Sequence, residues 1–123
     1  MMQNKMLDDV FDFHVKFGVP VKPSPGFPDD TRIALRINLV VEEIRELLEA
    51  IGNDDIVGTA DGIADAIYVL IGMAMEFGIP LELVWNEVHR SNMTKVGGAI
   101  REDGKILKPE GWEPPDIASC LGL

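Results

Sequence analysis

Apolar residues recur at three- and four-residue spacings through most of the chain up to Lys95, and then the pattern stops. Met6, Leu7, Val10, Phe11, His14 and Phe17 predict an amphipathic helix over about Lys5–Phe17, halted by Gly18 and Pro20. Pro20, Pro23, Pro25 and Pro28 then exclude a helix between Val19 and Asp30 and favour a stiff, extended connection. A second helix starts near Asp30 and Thr31, either of which suits its cap. Its Ile33, Ile37, Val40, Val41, Ile44, Leu47, Leu48 and Ile51 fall on one broad face, and Gly52-Asn53 ends it. A third helix is predicted over about Asp54–Phe77, stopped by Gly78. Pro80 suits the first turn of a fourth, about Pro80–Thr94, which carries Leu81, Val84, Trp85, Val88 and Met93.

Beyond Gly97-Gly98 the spacing changes. Ala99–Glu102 and Lys105–Lys108 flank Asp103-Gly104, a hairpin turn signal. The tail from Pro109 to Leu123 reads as irregular chain with room for one helical turn. The expected fold is all-α: a four-helix bundle with a short C-terminal β-hairpin and irregular tail. It forms one domain over 1–123, with a helical core of about 5–95 and the hairpin and tail at 97–123.

The chain has 123 residues and is 46% hydrophobic, enough for one domain but a modest core, so packing against a second copy, as a dimer or tetramer, is expected. With 21 acidic and 11 basic residues the net charge is −10, which disfavours nucleic acid and acidic membranes as partners. An anionic ligand would need the local field inverted, and divalent cations do that most directly. The single Cys120 excludes an intramolecular disulfide. Met1–Lys5 shows no leader pattern. The apolar stretch Ile63–Met75 is interrupted by Asp65 and closed by Glu76, so it reads as too short and too charged to span a membrane and as a helix buried on most sides. The expected location is the cytoplasm.

Carboxylates give the chain its candidate chemistry. Glu43 and Glu46 are three residues apart and project about 60° from each other around the second helix. Glu43 borders the apolar face, while Glu42 and Glu49 point further outward. Asp61 and Asp65 share a face of the third helix, and Asp65 stands among Ile63, Ala64, Ala66, Ile67, Val69 and Leu70, where an ionised carboxylate needs a partner. Carboxylates from two facing helices make an oxygen-rich site suited to Mg²⁺ or Mn²⁺. Spacing alone leaves two alternatives: a solvated acidic face, or a structural ion pair in which Arg36 or Arg32 is the partner of Asp65.

Two segments, Val41-Glu42-Glu43-Ile44-Arg45-Glu46-Leu47 and Asp61-Gly62-Ile63-Ala64-Asp65-Ala66-Ile67-Tyr68, resemble the MazG-like all-α nucleotide pyrophosphatases. That superfamily includes phosphoribosyl-ATP pyrophosphohydrolase and dimeric dUTPase. Its signature is Glu-x-x-Glu on one helix and Glu-x-x-Asp on the next. Phe13-His14-x-Lys16-Phe17-Gly18 and His89–Lys95 are further matches to the family, and Asp103-Gly104-Lys105-x-x-Lys108 followed by Pro114-Pro115-Asp116 resembles its short members. The chain departs from the signature at Gly62, where the family has glutamate; Asp61 stands one position earlier.

The resemblance implies that Glu43, Glu46 and Asp65 ligate Mg²⁺, with Asp61 as a further or more distant ligand. It makes Glu42 a ligand or the group that orients the attacking water. Asn92 and Lys95 would contact substrate phosphates, with Arg90 as a further counter-charge. The implied reaction is hydrolysis of the α–β phosphoanhydride of a nucleoside triphosphate. Narrower substrates (dUTP, a modified nucleotide, phosphoribosyl-ATP) and a non-catalytic metal-binding helical dimer are the alternatives. A ferritin-like di-iron site wants Glu-x-x-His, and the residues three before His14 and His89 are Phe11 and Asn86.

The remaining candidates have plainer readings. His14 is expected as a core histidine and His89 as a group suited to a helix C-terminus. Arg36 is expected to pair with Glu43 or to contact phosphate. Trp112 either pins the tail or stacks on a base. Trp85, Met73 and Met75 are expected in the core or a subunit interface.

Overall fold

The computed structural model describes residues 4–123; the start read above for a leader, Met1–Gln3, lies outside the described residues. Five helices follow in order: α1 Lys5–Phe17, α2 Asp30–Gly52, α3 Ile56–Glu76, α4 Leu81–Met93 and α5 Ile117–Cys120. The chain forms two compact units, one ending at Ile79 and the other spanning Pro80–Leu123. The division falls before the fourth helix.

In the first unit α3 is the central element, packed by α2 along its length and by α1. Each helix is punctuated locally. The Asn4 side chain caps α1, and Gly18 closes it at a left-handed φ of 66°. Asp29, one residue before the expected pair, caps α2 by accepting from the Arg32 amide at 2.9 Å. Asp55 caps α3, accepting from the Gly58 amide at 2.9 Å. The proline segment is strapped to the end of α3, with Lys22 and Gly26 amides donating to the Met75 and Phe77 carbonyls, both at 2.9 Å. Those bonds use carbonyls that a helix C-terminus otherwise leaves unpaired.

The interior is small. Among the described residues the buried apolar side chains are Val10, Ala50, Ala66, Ile71 and Ala74. A buried ionic cluster joins α2 to α3. Arg32 Nε and Nη2 donate to the two Glu76 carboxylate oxygens at 2.7 and 2.9 Å, and Arg36 Nη1 approaches Oε2 at 3.2 Å. The Glu76 side chain is 0% exposed and that of Arg36 7%. Glutamine at position 76 keeps the shape but leaves two guanidinium groups without a counter-charge. Glu76→Gln is expected to cost about 3–5 kcal/mol, read as a fall in the urea midpoint at pH 7.

Much apolar surface stays open. Ile37, Val41, Ile44, Leu48 and Ile51 are exposed along α2 at alternating four- and three-residue steps. Ile56, Ala60, Ile63, Ile67 and Leu70 repeat that spacing on α3 and are also exposed. The expectation that the third helix is buried on most sides is therefore corrected. Its 21 residues include an 18-residue stretch of mean hydropathy 1.5, of which 22% is buried. By length and composition alone the whole helix Ile56–Glu76, longer than the apolar stretch Ile63–Met75, could cross a membrane, a test that the core helix of a soluble protein also passes. The reason for the low burial is geometric: α2 covers only the side of α3 that carries Gly58, Gly62 and Gly72.

The second unit contains α4, the tail and α5, which packs on α4. Ser91 Oγ donates to the Glu113 carbonyl at 2.6 Å, and the Glu113 amide donates to Thr94 Oγ1 at 2.8 Å. The predicted β-hairpin does not form strands. The Asp103-Gly104 turn is present, with Gly104 at φ 93°, but pairing is limited to one antiparallel bridge between Ile100 and Ile106. Residues 99–108 are all exposed, so no buried face holds a longer ladder in register. Trp85, expected in a core or interface, is exposed, and Trp112 is half-buried with Lys108 Nζ 4.5 Å from its ring centroid.

Candidate active site

The acidic residues meet at the loop end of the α2–α3 hairpin. A hollow of about 260 Å³ is lined by Glu46, Glu49, Ala50 and Asn53 from the α2 end, and by Asp55, Gly58, Asp61, Gly62 and Asp65 from the α3 end. None of its lining residues is basic. Two close approaches shape it. An ideal Cβ on Gly62 would lie 3.1 Å from Leu47 Cα, and one on Gly58 would lie 3.2 Å from Ala50 Cβ. Small residues on α3 thus let the backbones come close, and that closeness brings the flanking carboxylates of both helices to one opening.

Glu43 sits deepest. It is half-buried, and its Oε2 is a buried oxygen without a hydrogen-bond partner. Burial pushes its carboxyl above the ordinary value, and the negative charges of Glu46, Asp65 and Asp61 push it the same way. An ionised Glu43 therefore costs stability here. With the folded pKa raised, that cost grows as pH rises through the ordinary value of 4.5 and beyond. A cation among these oxygens would reverse the effect. The donor set of Glu43, Glu46, Asp61 and Asp65 is all-oxygen and fits a hard divalent ion. It is not a finished cage: among the described residues no three His, Cys, Asp or Glu side chains converge closely enough to hold a metal ion.

Other expected site residues have more definite partners. Arg36 pairs with neither Glu43 nor Asp65. Its Nη2 donates to the Val69 carbonyl at 2.6 Å, and its Nη1 faces Glu76. Arg32 is likewise committed to Glu76, so the structural ion pair proposed for Asp65 is not made. The antiparallel hairpin explains this: the start of α2 meets the end of α3, three turns beyond Asp65. Buried and paired, Arg36 is not placed to meet a phosphate.

Arg90 is engaged by the tail. Its guanidinium contacts Glu87 at 2.7 Å, Glu113 at 3.1 Å and the Pro114 carbonyl at 3.3 Å. Asn92 is exposed near the end of α4, and Lys95, just beyond it, is half-buried. His89 is exposed on α4, and His14 is buried, as expected of a core histidine.

Sequence reasoning missed Glu49, Asn53 and Asp55 as lining residues. Glu42, Glu46, Glu49 and Asn53 recur at four-, three- and four-residue steps, a polar stripe as regular as the apolar one. That spacing was the available signal. Gly62 also acquires a reason. Glutamate at this position, restoring the family signature, would drive its Cβ against the Leu47 backbone. Gly62→Glu is expected to destabilise the fold by about 1–3 kcal/mol, measured by thermal melting, with no gain in metal binding by titration calorimetry.

Two comparisons with known proteins bear on the chain's family. A 50-residue stretch, 41% of the chain, is 36% identical to the uncharacterized protein L479 of Acanthamoeba polyphaga mimivirus. The match covers 20% of that longer viral protein. The family model for phosphoribosyl-ATP pyrophosphohydrolase matches residues 10–92, which takes in α2, α3 and nearly all of α4. The chain belongs to the phosphoribosyl-ATP pyrophosphohydrolase family, whose general activity is pyrophosphohydrolysis.

Proposed function

We propose that this protein is a Mg²⁺-dependent hydrolase of the α–β phosphoanhydride of a nucleoside triphosphate, releasing a monophosphate and pyrophosphate. The observation that carries the reading is Glu43: a buried, unpartnered carboxylate oxygen with Glu46, Asp61 and Asp65 close by and no basic residue lining the hollow. Family membership supplies the reaction class. Glu43, Glu46 and Asp65 would hold the ion, with Asp61 completing the set in place of the family's glutamate. Bound there, Mg²⁺ supplies neutralisation of the polyphosphate and a more acidic water; Mn²⁺ suits the same ligands. Glu42, exposed one turn before Glu46, orients the attacking water and accepts its proton. The water oxygen bonds to the α-phosphorus as the bond to the bridging oxygen breaks, and the electron pair leaves with pyrophosphate. The family resemblance would give Asn92 and Lys95 the role of phosphate contacts.

The working unit is a homo-oligomer. The exposed stripes on α2 and α3 carry heptad spacing, the pattern of helices that bury an apolar seam against other helices. Ile51 and Ile56 line a second hollow at the loop end with Asp54 and Thr59, and it shares no residue with the acidic one. A second copy laying its own hairpin on the apolar side covers both stripes and leaves the acidic hollow outside the seam. A symmetric pair of two-helix layers makes a four-helix bundle. The same surface explains the hydropathy of α3 without a membrane, and the reading places the protein in the cytoplasm.

A panel of nucleoside triphosphates, with dUTP, modified nucleotides and phosphoribosyl-ATP included, assayed for pyrophosphate release in Mg²⁺ and in EDTA, tests the reaction. Phosphoribosyl-ATP has a specific claim to inclusion because it is the substrate in the matched family's description. Release that needs Mg²⁺ supports the reading, and release unchanged by EDTA contradicts it.

A further inference from the structure

We propose that His14, Arg36, Glu76 and Arg32 form an acid-sensitive latch, in which protonation of His14 releases α1 and the proline segment from the α2–α3 hairpin. His14 is 2% exposed, and its Nδ1 lies 3.1 Å from the Pro20 carbonyl oxygen. A carbonyl only accepts, so Nδ1 carries the proton and Nε2 bears the lone pair. Nε2 points to Gly72, where an ideal Cβ would lie 3.1 Å away; the Arg36 guanidinium borders the same spot from α2. The missing side chain at Gly72 admits both groups.

Among the described residues Nε2 has no hydrogen-bond partner to accept a second proton on this ring. The charged groups facing it are Arg36 and Arg32 from α2 and Glu76 from α3. The Glu76 carboxylate is already held by both arginines, and the Val69 carbonyl is taken by Arg36 Nη2. With two guanidinium groups on one carboxylate, the cluster carries an excess positive charge before His14 titrates. A buried imidazolium would add a second. Burial pushes His14 below its ordinary value of 6.5; the Pro20 hydrogen bond opposes this, and the charge of Arg36 reinforces it.

The sign follows directly. The unfolded chain takes up this proton at a higher pH than the folded one, so stability is lost as pH falls below 6.5. The latch joins α1 and the proline segment to the hairpin, so those elements open first. Phe13 on α1 meets Tyr68 on α3 edge to face at 5.7 Å, one turn from Asp65, so release of α1 reaches the helix that carries the acidic site.

Hydrogen exchange of the full chain at pH 7.5 and pH 5.5, corrected for the intrinsic pH dependence, tests this. Peptides from α1 are expected to lose protection at the lower pH by up to about tenfold, a ceiling set by pH 5.5 lying one unit below the ordinary value of 6.5. His14→Asn keeps an amide donor for Pro20 and cannot be protonated, so its α1 protection is expected to stay level. Equal loss in both proteins overturns the latch. Should His14→Asn fail to fold, imidazole titration by NMR in the wild type decides instead. A midpoint below 6.5 supports the latch, and one at or above it overturns the latch. Neither readout depends on catalysis, so this inference and the proposed reaction stand or fall separately.

Discussion

Asp65→Asn is expected to lower Mg²⁺-dependent turnover by about 10²–10³-fold while leaving the helical far-ultraviolet spectrum unchanged. The substitution keeps size and shape and removes one negative charge from the α3 wall of the hollow. A neutral amide oxygen is a poorer ligand for a hard cation, and catalysis that depends on charge stabilisation loses accordingly. Glu46→Gln, on the opposite wall, is expected to do the same. Glu43→Gln separates metal binding from intrinsic stability. Without divalent cations its melting temperature at pH 7 should exceed that of the wild type, because the raised carboxyl pKa makes ionised Glu43 a cost that glutamine removes. With Mg²⁺ present the order should narrow or reverse. Turnover in Asp65→Asn at the wild-type rate would show that the carboxylates at the loop end are a solvated acidic face.

Leu48→Glu is expected to convert the oligomer to monomer at micromolar concentration, measured by light scattering or sedimentation. Leu48 is 62% exposed in the single chain and lies in the middle of the α2 stripe. Covering a leucine contributes about 1.5–3 kcal/mol, and in a symmetric pair the loss occurs twice. The dissociation constant should therefore rise by about 10²–10⁴-fold. Glu42→Gln, a change on the acidic side of the same helix, should leave the oligomer intact. A wild-type chain that is monomeric at these concentrations would contradict the arrangement and leave the apolar stripes without an explanation.

The helices were legible because their punctuation is local. Gly18 and Pro20 mark the end of α1, and Gly78 with Pro80 separates α3 from α4. The cap of α2 was misplaced by one residue because Asp29, Asp30 and Thr31 are all capable, and only backbone geometry selects Asp29. The hairpin failed for a related reason. Asp103-Gly104 specifies a turn, but nothing in residues 99–108 supplies a buried face to extend the pairing. The buried pairing of Arg32 and Arg36 with Glu76 spans forty residues or more and left no local trace; Glu76 read only as the residue closing an apolar run. In the site, Glu43, Glu46, Asp61 and Asp65 stood out by spacing and by their apolar neighbours. Glu49 and Asp55 did not, because their place at the hollow follows from how closely α2 and α3 approach at Gly58 and Gly62.

The most direct test of the central claim is ³¹P NMR of one accepted nucleoside triphosphate with the wild-type protein and Asp65→Asn, each in Mg²⁺. The account predicts monophosphate and pyrophosphate appearing at equal rates with the wild type, and almost no product with the variant. Diphosphate and inorganic phosphate as products, or equal rates from the two proteins, would contradict it.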